Sequence, residues 1–278
     1  MIDRILNIDR RYIFAVIFVV VVWALMADRP IQVPISSPVQ DVFDFMERVA
    51  QIDDHPPTIL ISFDYGPGSD AEVQPMALAL LRHAFSKGVR VAGMCIWETA
   101  PGLAKAAFET VAPEFDKKYG DDYVFLGYKS GGIAVVLNMG QDFSLAFPAD
   151  AYGNRTDTLA TTARISRLAD FDYVITLAAG NTIDQLWVAY GQDRYKINLG
   201  GGVTAVMAPD MFPFLQTGQL NGLIPGLAGA AEYEKLIEHP GEATAGMLAQ
   251  SWTHIAIVLS IVFGNVAYFI SRRRDREV

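Results

Sequence analysis

The hydrophobic pattern of the central chain alternates between short apolar runs and longer stretches with the composition of helices. Residues 59–63 form an apolar run typical of a buried strand, and an Ala- and Leu-rich stretch follows that ends at Gly88. A glycine-rich turn, residues 64–68, separates the two. Strand, turn and helix together form the opening unit of a parallel α/β sheet, and the chain repeats this order several times. The pattern predicts an α/β fold with a doubly wound, Rossmann-like, mostly parallel sheet that is flanked by two transmembrane helices.

The same alternation places the remaining elements. Further strands are predicted at 89–97, 123–127, 173–177 and 195–199, and helices at 41–51, 101–119, 161–170 and 182–190. Residues 133–137 fit a strand or a helix start, and 141–158 read as an irregular loop. The Met-, Phe- and Gly-rich segment 203–250 is too broken by proline for a membrane span, and it predicts helical pieces at 206–217 and 226–238.

Two uncharged apolar segments bracket this pattern. A helix needs about 20 apolar residues to cross a bilayer, so 12–27 is near the short limit and 252–270 is sufficient. A signal peptide is the competing interpretation of the first segment. The predicted organisation is a cytoplasmic basic tail at 1–11, a first span at 12–27, an extended stem at 28–40, an α/β domain at 41–250, a second span at 251–270 and an Arg-rich cytoplasmic tail at 271–278.

Arginines flank both segments on their outer sides. Arg10 and Arg11 precede the first, and Arg272–Arg274 follow the second. Because basic residues stay on the cytoplasmic side, both termini are expected in the cytoplasm, and the domain between them outside it. The expected location is the cell (inner) membrane.

Net charge and cysteine content exclude one class of partner and one kind of cross-link. The net charge is −9; the tails 1–11 and 271–278 carry +1 and +2, so residues 28–251 carry −12. An acidic domain repels phosphate backbones, so nucleic acid is not an expected partner. The lone cysteine, Cys95, excludes an intrachain disulfide and lies in an apolar run, which indicates a buried, inert thiol.

In an open α/β sheet, ligands bind beyond the carboxyl ends of the strands. The residues at those predicted ends form the candidate binding pocket: Asp64, Tyr65, Gly66, Glu98, Lys129, Ser130, Gly180, Asn181, Gly200 and Gly201.

This pattern gives little support to three specific chemistries. Gly66 to Ala71 fits G-x-G-x-x-A, with Glu98 as the ribose-binding acid of a dinucleotide site, but Pro67 removes one N–H that would face a pyrophosphate. Asp70 and Glu72 fit a cation site less well than they fit helix capping. No pair of His or Cys has zinc-ligand spacing. No cofactor and no metal is therefore assigned.

These features predict a membrane-anchored, extracytoplasmic binding or assembly module, non-catalytic and part of a larger membrane complex. Protein partners or self-association are expected through Phe212, Phe214 and the second span, where Asn265 is a candidate contact. The alternative is a membrane-anchored hydrolase or transferase that uses Asp64 with Lys129, Ser130 or Asn181 at the strand ends.

Overall fold

The chain forms two compact units. The structure, a computed structural model, describes residues 9–26 and 34–274. Residues 34–243 form one unit, and residues 9–26 and 244–274 form the other. Most of the predicted basic tail, the first part of the stem and the last four residues lie outside the described residues.

The larger unit is built on one six-stranded sheet in which every paired strand is parallel. Its strands are β1 (Thr58–Asp64), β2 (Arg90–Cys95), β3 (Tyr123–Tyr128), β4 (Tyr173–Ala178), β5 (Leu199–Val203) and β6 (Leu223–Pro225). Their order is β3-β2-β1-β4-β5-β6, so the direction of chain travel reverses between β1 and β4. The predicted α/β fold with a parallel sheet is confirmed, and the reversal creates a topological switch point at the carboxyl ends of β1 and β4.

Helices precede, connect and follow the strands. They are α1 (Arg10–Met26), α2 (Ser37–Ala50), α3 (Asp70–Ser86), α4 (Pro101–Val111), α5 (Ile133–Gln141), α6 (Phe143–Ala146), a π helix (Ile183–Gln192) continued by a short α-helical turn (Asp193–Tyr195), α7 (Ala208–Gln216), α8 (Gly226–Leu236) and α9 (Glu242–Arg274). Short 3-10 segments lie at Ala112–Phe115, Thr156–Thr158 and Leu168–Asp170.

Both faces of the sheet are covered. On one face α3 packs against α4 and α8, and α8 packs against α2. On the other face α5, the π helix and α7 join a core cluster with strand residues such as Leu60 and Val174. Burial on both faces explains why the strands are continuous apolar runs in the sequence.

Several predicted helix boundaries were wrong. α2 begins at Ser37 and not at Asp41, because Pro38 suits a first helical turn. The helix predicted to reach residue 119 ends at Val111, and Asp116 then takes a left-handed conformation with φ of 52°. The segment predicted as helix 161–170 holds only the 3-10 turn Leu168–Asp170.

The predicted loop 141–158 is not purely a surface loop. Phe143 and Phe147 are buried in the core, and only the aromatic ring of Tyr152 is largely exposed. Two aromatic side chains of the loop therefore pack into the core on the face of the sheet that α5, the π helix and α7 cover.

The prediction of a strand at 195–199 was also wrong. Tyr195 ends the helical segment, Lys196 reverses the chain with φ of 56°, and the strand follows at Leu199–Val203. Gly200 and Gly201 thus lie inside β5, where larger side chains have no room. A Cβ on Gly200 would lie 2.1 Å from the hydroxyl oxygen of Tyr173.

The second unit contains α1 and α9. Among the described residues, one helix, Glu242–Ile270 within α9, is long and apolar enough to cross a membrane. α1 covers the first predicted span but has 17 residues, or roughly 26 Å at the usual rise, against about 30 Å of hydrocarbon. Trp23 and Trp252 meet edge to face, with ring centroids 5.2 Å apart.

Candidate binding site

A cavity of about 450 Å³ lies at the carboxyl end of the sheet. Three segments line it, and each directly follows a strand: Ile96 and Trp97 follow β2, Gly132 and Ile133 follow β3, and Asn181, Thr182, Gln185 and Leu186 follow β4. The cavity therefore spans the switch point, where α/β folds bind their ligands. Its volume is in the range of about 300–1,000 Å³ that is usual for small-molecule sites.

The β4 side of the cavity supplies uncharged polar groups. The hydroxyl oxygen of Thr182 is buried and has no hydrogen-bond partner among the described residues. Asn181 is exposed, and within the described part of the chain its side chain, like that of Gln185, forms no hydrogen bond. A buried hydroxyl without a partner costs free energy unless a ligand or water satisfies it, so these groups are available for binding.

The segment after β2 packs tightly over two glycines. A Cβ on Gly180 would lie 2.7 Å from Cζ2 of Trp97, and a Cβ on Gly66 would lie 2.6 Å from Oγ1 of Thr99. Both glycines thus allow this segment to cross the switch point. Gly180 places the Trp97 ring in the cavity wall, although Gly180 itself is not among the lining residues.

Asp64 lies at the end of β1 and is fully buried. Its Oδ1 accepts hydrogen bonds from the Ser62 hydroxyl (2.8 Å) and the Ile96 N–H (3.2 Å). Its Oδ2 accepts from the Trp187 indole N–H (3.0 Å) and the Thr176 hydroxyl (3.2 Å). Burial raises the pKa of the carboxyl, and these four donors oppose that effect. Asp64 therefore links β1, β4, the π helix and the segment after β2 by hydrogen bonds. Its side chain is not part of the cavity lining.

The structure separates most of the other predicted site residues. Tyr65 is buried and donates its hydroxyl to Gln74 at 2.5 Å. The ammonium nitrogen of Lys129 lies 5.9 Å from the centre of the Phe147 ring. Glu98 and Ser130 are exposed beside lining residues. Of the ten predicted residues, only Asn181 lines the cavity.

The glycine turn after β1 occupies the position of a dinucleotide fingerprint. β1 ends at Asp64 and α3 begins at Asp70, as that motif requires. However, Gly66 is buried, and the side chain of Thr99 fills the space beside it. Glu72 accepts the N–H of Ala205 at 2.9 Å, so its carboxylate holds the loop after β5.

Sequence reasoning missed seven of the eight lining residues. A usable signal was nonetheless present, since Thr182 and Gln185 lie within four residues of Asn181, at the start of a predicted helix. Ile96 and Trp97 were assigned to the strand, which in fact ends at Cys95. Cys95 itself is buried, as expected, and burial raises the pKa of its thiol.

No titratable side chain lines the cavity within the described structure. Nor do the described residues contain a group of three or more His, Cys, Asp or Glu side chains placed to share a metal ion. Comparison with protein-family models, curated proteins and solved structures gives no match. The geometry and chemistry of the site therefore carry the functional conclusion.

Proposed function

We propose that the protein is a membrane-anchored, extracytoplasmic binding module that is non-catalytic and works within a larger membrane complex. The single observation that carries the binding function is the cavity at the switch point, lined by apolar and uncharged polar side chains. Such a lining orients and retains a small molecule, but none of its side chains is ionisable, so none could act as a general acid or base or activate the Thr182 hydroxyl as a nucleophile.

The position of Asp64 favours binding over the hydrolase or transferase alternative. Both carboxylate oxygens are occupied by hydrogen bonds, and the side chain is fully buried. A general base has to reach a substrate within hydrogen-bond distance, directly or through one water. Lys129 and Ser130 also lie outside the set of residues that lines the cavity.

Two membrane spans explain the second unit best. α1 and α9 pack together, and Trp23 near the end of α1 contacts Trp252 at the start of the apolar part of α9. Tryptophan is enriched where a span leaves the hydrocarbon, so this contact is what two antiparallel spans would form at one membrane surface. With Arg10, Arg11 and Arg272–Arg274 in the cytoplasm, the α/β unit lies outside it.

A partner surface is proposed on α7. Phe212 is 42% exposed, and Val206, Pro209 and Pro213 beside it in the sequence are also exposed. Phe214, the other predicted contact, packs against the core. Asn265 donates an amide N–H to the carbonyl oxygen of Ile261 in its own helix at 2.9 Å. The partner contact is assigned to Phe212 because it is the exposed one of the two phenylalanines.

The binding function is tested on the full-length protein in polymer nanodiscs, with a panel of sugars, nucleosides, amino acids and nucleotides. A ligand at a hundred times its Kd stabilises the folded state by about 2.7 kcal/mol, which raises the unfolding temperature by several degrees. Ile133→Trp, at the 42% exposed cavity rim, should abolish the rise. Leu145→Trp, at a 58% exposed residue of α6, is the matched control and should retain it. Equal responses in both variants would place binding elsewhere.

The orientation is tested with introduced cysteines. Cys95 is buried, so it gives little background labelling. A cysteine replacing Val206, which is 86% exposed, should react with a membrane-impermeant maleimide in spheroplasts. Labelling only after lysis would contradict an extracytoplasmic unit.

The assembly function is tested by cross-linking in native membranes. Phe212→Ser should remove a cross-linked species that Leu145→Ser retains, since both residues are exposed but only Phe212 belongs to the proposed partner surface. An identical pattern from both variants would contradict the α7 surface.

A further inference from the structure

The lining of the cavity also indicates a class of ligand, and this inference rests on the binding function proposed above. We infer that the cavity binds an uncharged, hydroxyl-rich ring, such as one neutral sugar unit. Three features of the cavity carry the inference: its lack of charge, the bonding capacity of its polar groups, and their arrangement on one side.

Charge is the first feature. None of the eight lining residues is ionisable. Four donors hold the Asp64 carboxyl outside the lining, and Lys129 lies against the Phe147 ring. Glu98 and Asp184 are next to lining residues in the sequence but do not themselves line the cavity. A charged ligand would lose part of its hydration against this lining without meeting an opposite charge among the lining side chains, which is costly. The first turns of α5 and the π helix would attract a negative group more weakly than a cationic side chain does, so an anion is the competing ligand.

Bonding capacity is the second feature. The amides of Asn181 and Gln185 each donate and accept hydrogen bonds, and so does the hydroxyl of Thr182. None of these three side chains forms a hydrogen bond to another group among the described residues. Sugar hydroxyls also donate and accept, so each contact can form in either direction. A cluster of such hydroxyls can therefore satisfy all three side chains together.

Arrangement is the third feature. The polar groups all follow β4, whereas Ile96, Trp97 and Ile133 follow β2 and β3 on the opposite side of β1. The polar part of the lining thus follows β4, together with Leu186, and the rest is apolar and aromatic, with the Trp97 ring reaching across to Gly180. A sugar ring has hydroxyls at its rim and a face of C–H groups, so its rim fits the polar part and its C–H face fits Trp97. Aromatic rings with an apolar face are well suited to such contacts.

The test uses the full-length protein in polymer nanodiscs, because sugar-headed detergents would compete. Binding is measured by calorimetry for glucose, galactose and N-acetylglucosamine, for the charged counterparts glucuronate and glucose 6-phosphate, and for uridine. Saturable binding of at least one neutral sugar, tighter than either charged counterpart and tighter than uridine, is the expected result.

Two variants locate the contacts. Gln185→Leu removes the amide at an exposed position, and Trp97→Leu removes the aromatic wall. Each should weaken sugar binding by about tenfold, as expected for the loss of one good contact. Gln216→Leu makes the same change at an exposed position on α7 and should leave the Kd unchanged. Unfolding temperatures show whether each variant is folded.

The outcomes separate this inference from the proposed function. Tighter binding of glucuronate, glucose 6-phosphate or uridine, with the same sensitivity to Gln185→Leu, would overturn the ligand class and leave the binding function intact. Sugar binding that Gln185→Leu and Trp97→Leu do not weaken would overturn the assignment to this cavity. No binding by any compound, together with no response in the broader stability panel, would overturn both.

Discussion

Two buried tyrosines should respond to the same substitution with opposite signs. Tyr173 and Tyr233 are both 0% exposed. The hydroxyl of Tyr173 has no hydrogen-bond partner among the described residues, and its ring stacks on Phe45 with centroids 4.3 Å apart. The hydroxyl of Tyr233 lies 2.7 Å from Nδ1 of His83. The two residues therefore differ in whether the buried hydroxyl is satisfied.

The direction of the Tyr233 bond follows from the other ring nitrogen. Nε2 of His83 lies 2.9 Å from Glu47, whose carboxylate accepts a hydrogen bond. Burial, the largest cause, lowers the pKa of His83, so the ring is neutral near pH 7 with its proton on Nε2. Nδ1 is then an acceptor, and the Tyr233 hydroxyl donates to it.

The magnitudes follow from the cost of unsatisfied buried groups. Tyr173→Phe removes a hydroxyl that is buried without a partner, which should stabilise the fold by about 1–3 kcal/mol. Tyr233→Phe removes a hydrogen bond and leaves Nδ1 of His83 unpaired, which should destabilise it by about 1–3 kcal/mol. In a domain of this size 1 kcal/mol corresponds to a shift of about 2–4 °C in the unfolding temperature.

The assay is thermal unfolding of the full-length protein in nanodiscs, followed by the fluorescence of tryptophan, since the buried Trp187 reports on the same unit. The expected result is a higher unfolding temperature for Tyr173→Phe and a lower one for Tyr233→Phe. A similar loss of stability in both variants would refute the reasoning, because it would show that the Tyr173 hydroxyl is satisfied.

Three further predictions follow from the described contacts. The hydrogen bond to Asp172 (2.9 Å) and the contact with Asp54 raise the pKa of His55. The stability that protonated His55 contributes is therefore present below the ordinary value of 6.5 and is lost as the pH rises through the raised value. His55→Gln should flatten this part of the stability–pH profile in thermal unfolding, and an unchanged profile would contradict the prediction. Trp187→Phe removes a donor to Asp64 and should raise the pKa of that carboxyl further, so the stability lost should grow as the pH rises through the raised pKa of the wild-type carboxyl. A loss of packing alone would be independent of pH. Gly93→Ala places a Cβ 2.4 Å from the Phe108 ring and should lower the free energy of unfolding by about 1–3 kcal/mol. Gly68→Ala is the control, because open space surrounds that position, and it should leave the free energy of unfolding unchanged. Equal effects of the two substitutions would be inconsistent with this packing.

Local pattern was enough to predict the fold class. The apolar runs at β1, β2, β3 and β4 are buried on both faces, and a fully buried strand leaves a continuous hydrophobic run in the sequence. Helix boundaries were less accurate, because Pro38 can begin a helix or belong to an extended stem with equal local justification. β5 was misplaced because its glycines resemble a turn, although they lie within the strand, where Tyr173 and Ile183 occupy the space of a Cβ.

The carboxyl ends of the strands could be recognised as the candidate site from the sequence alone, because the rule depends only on strand direction. Which side chains meet there was decided by tertiary structure. Strand order places the segment after β4 opposite those after β2 and β3, although more than 80 residues separate β2 from the π helix. Asp64 stood out in the sequence as a polar residue at a strand end. In the folded chain, donors from β4 and the π helix form hydrogen bonds to its buried carboxyl, which links these elements. The sequence determined the elements through local hydrophobic periodicity, whereas the site depended on long-range packing, which no local pattern contains.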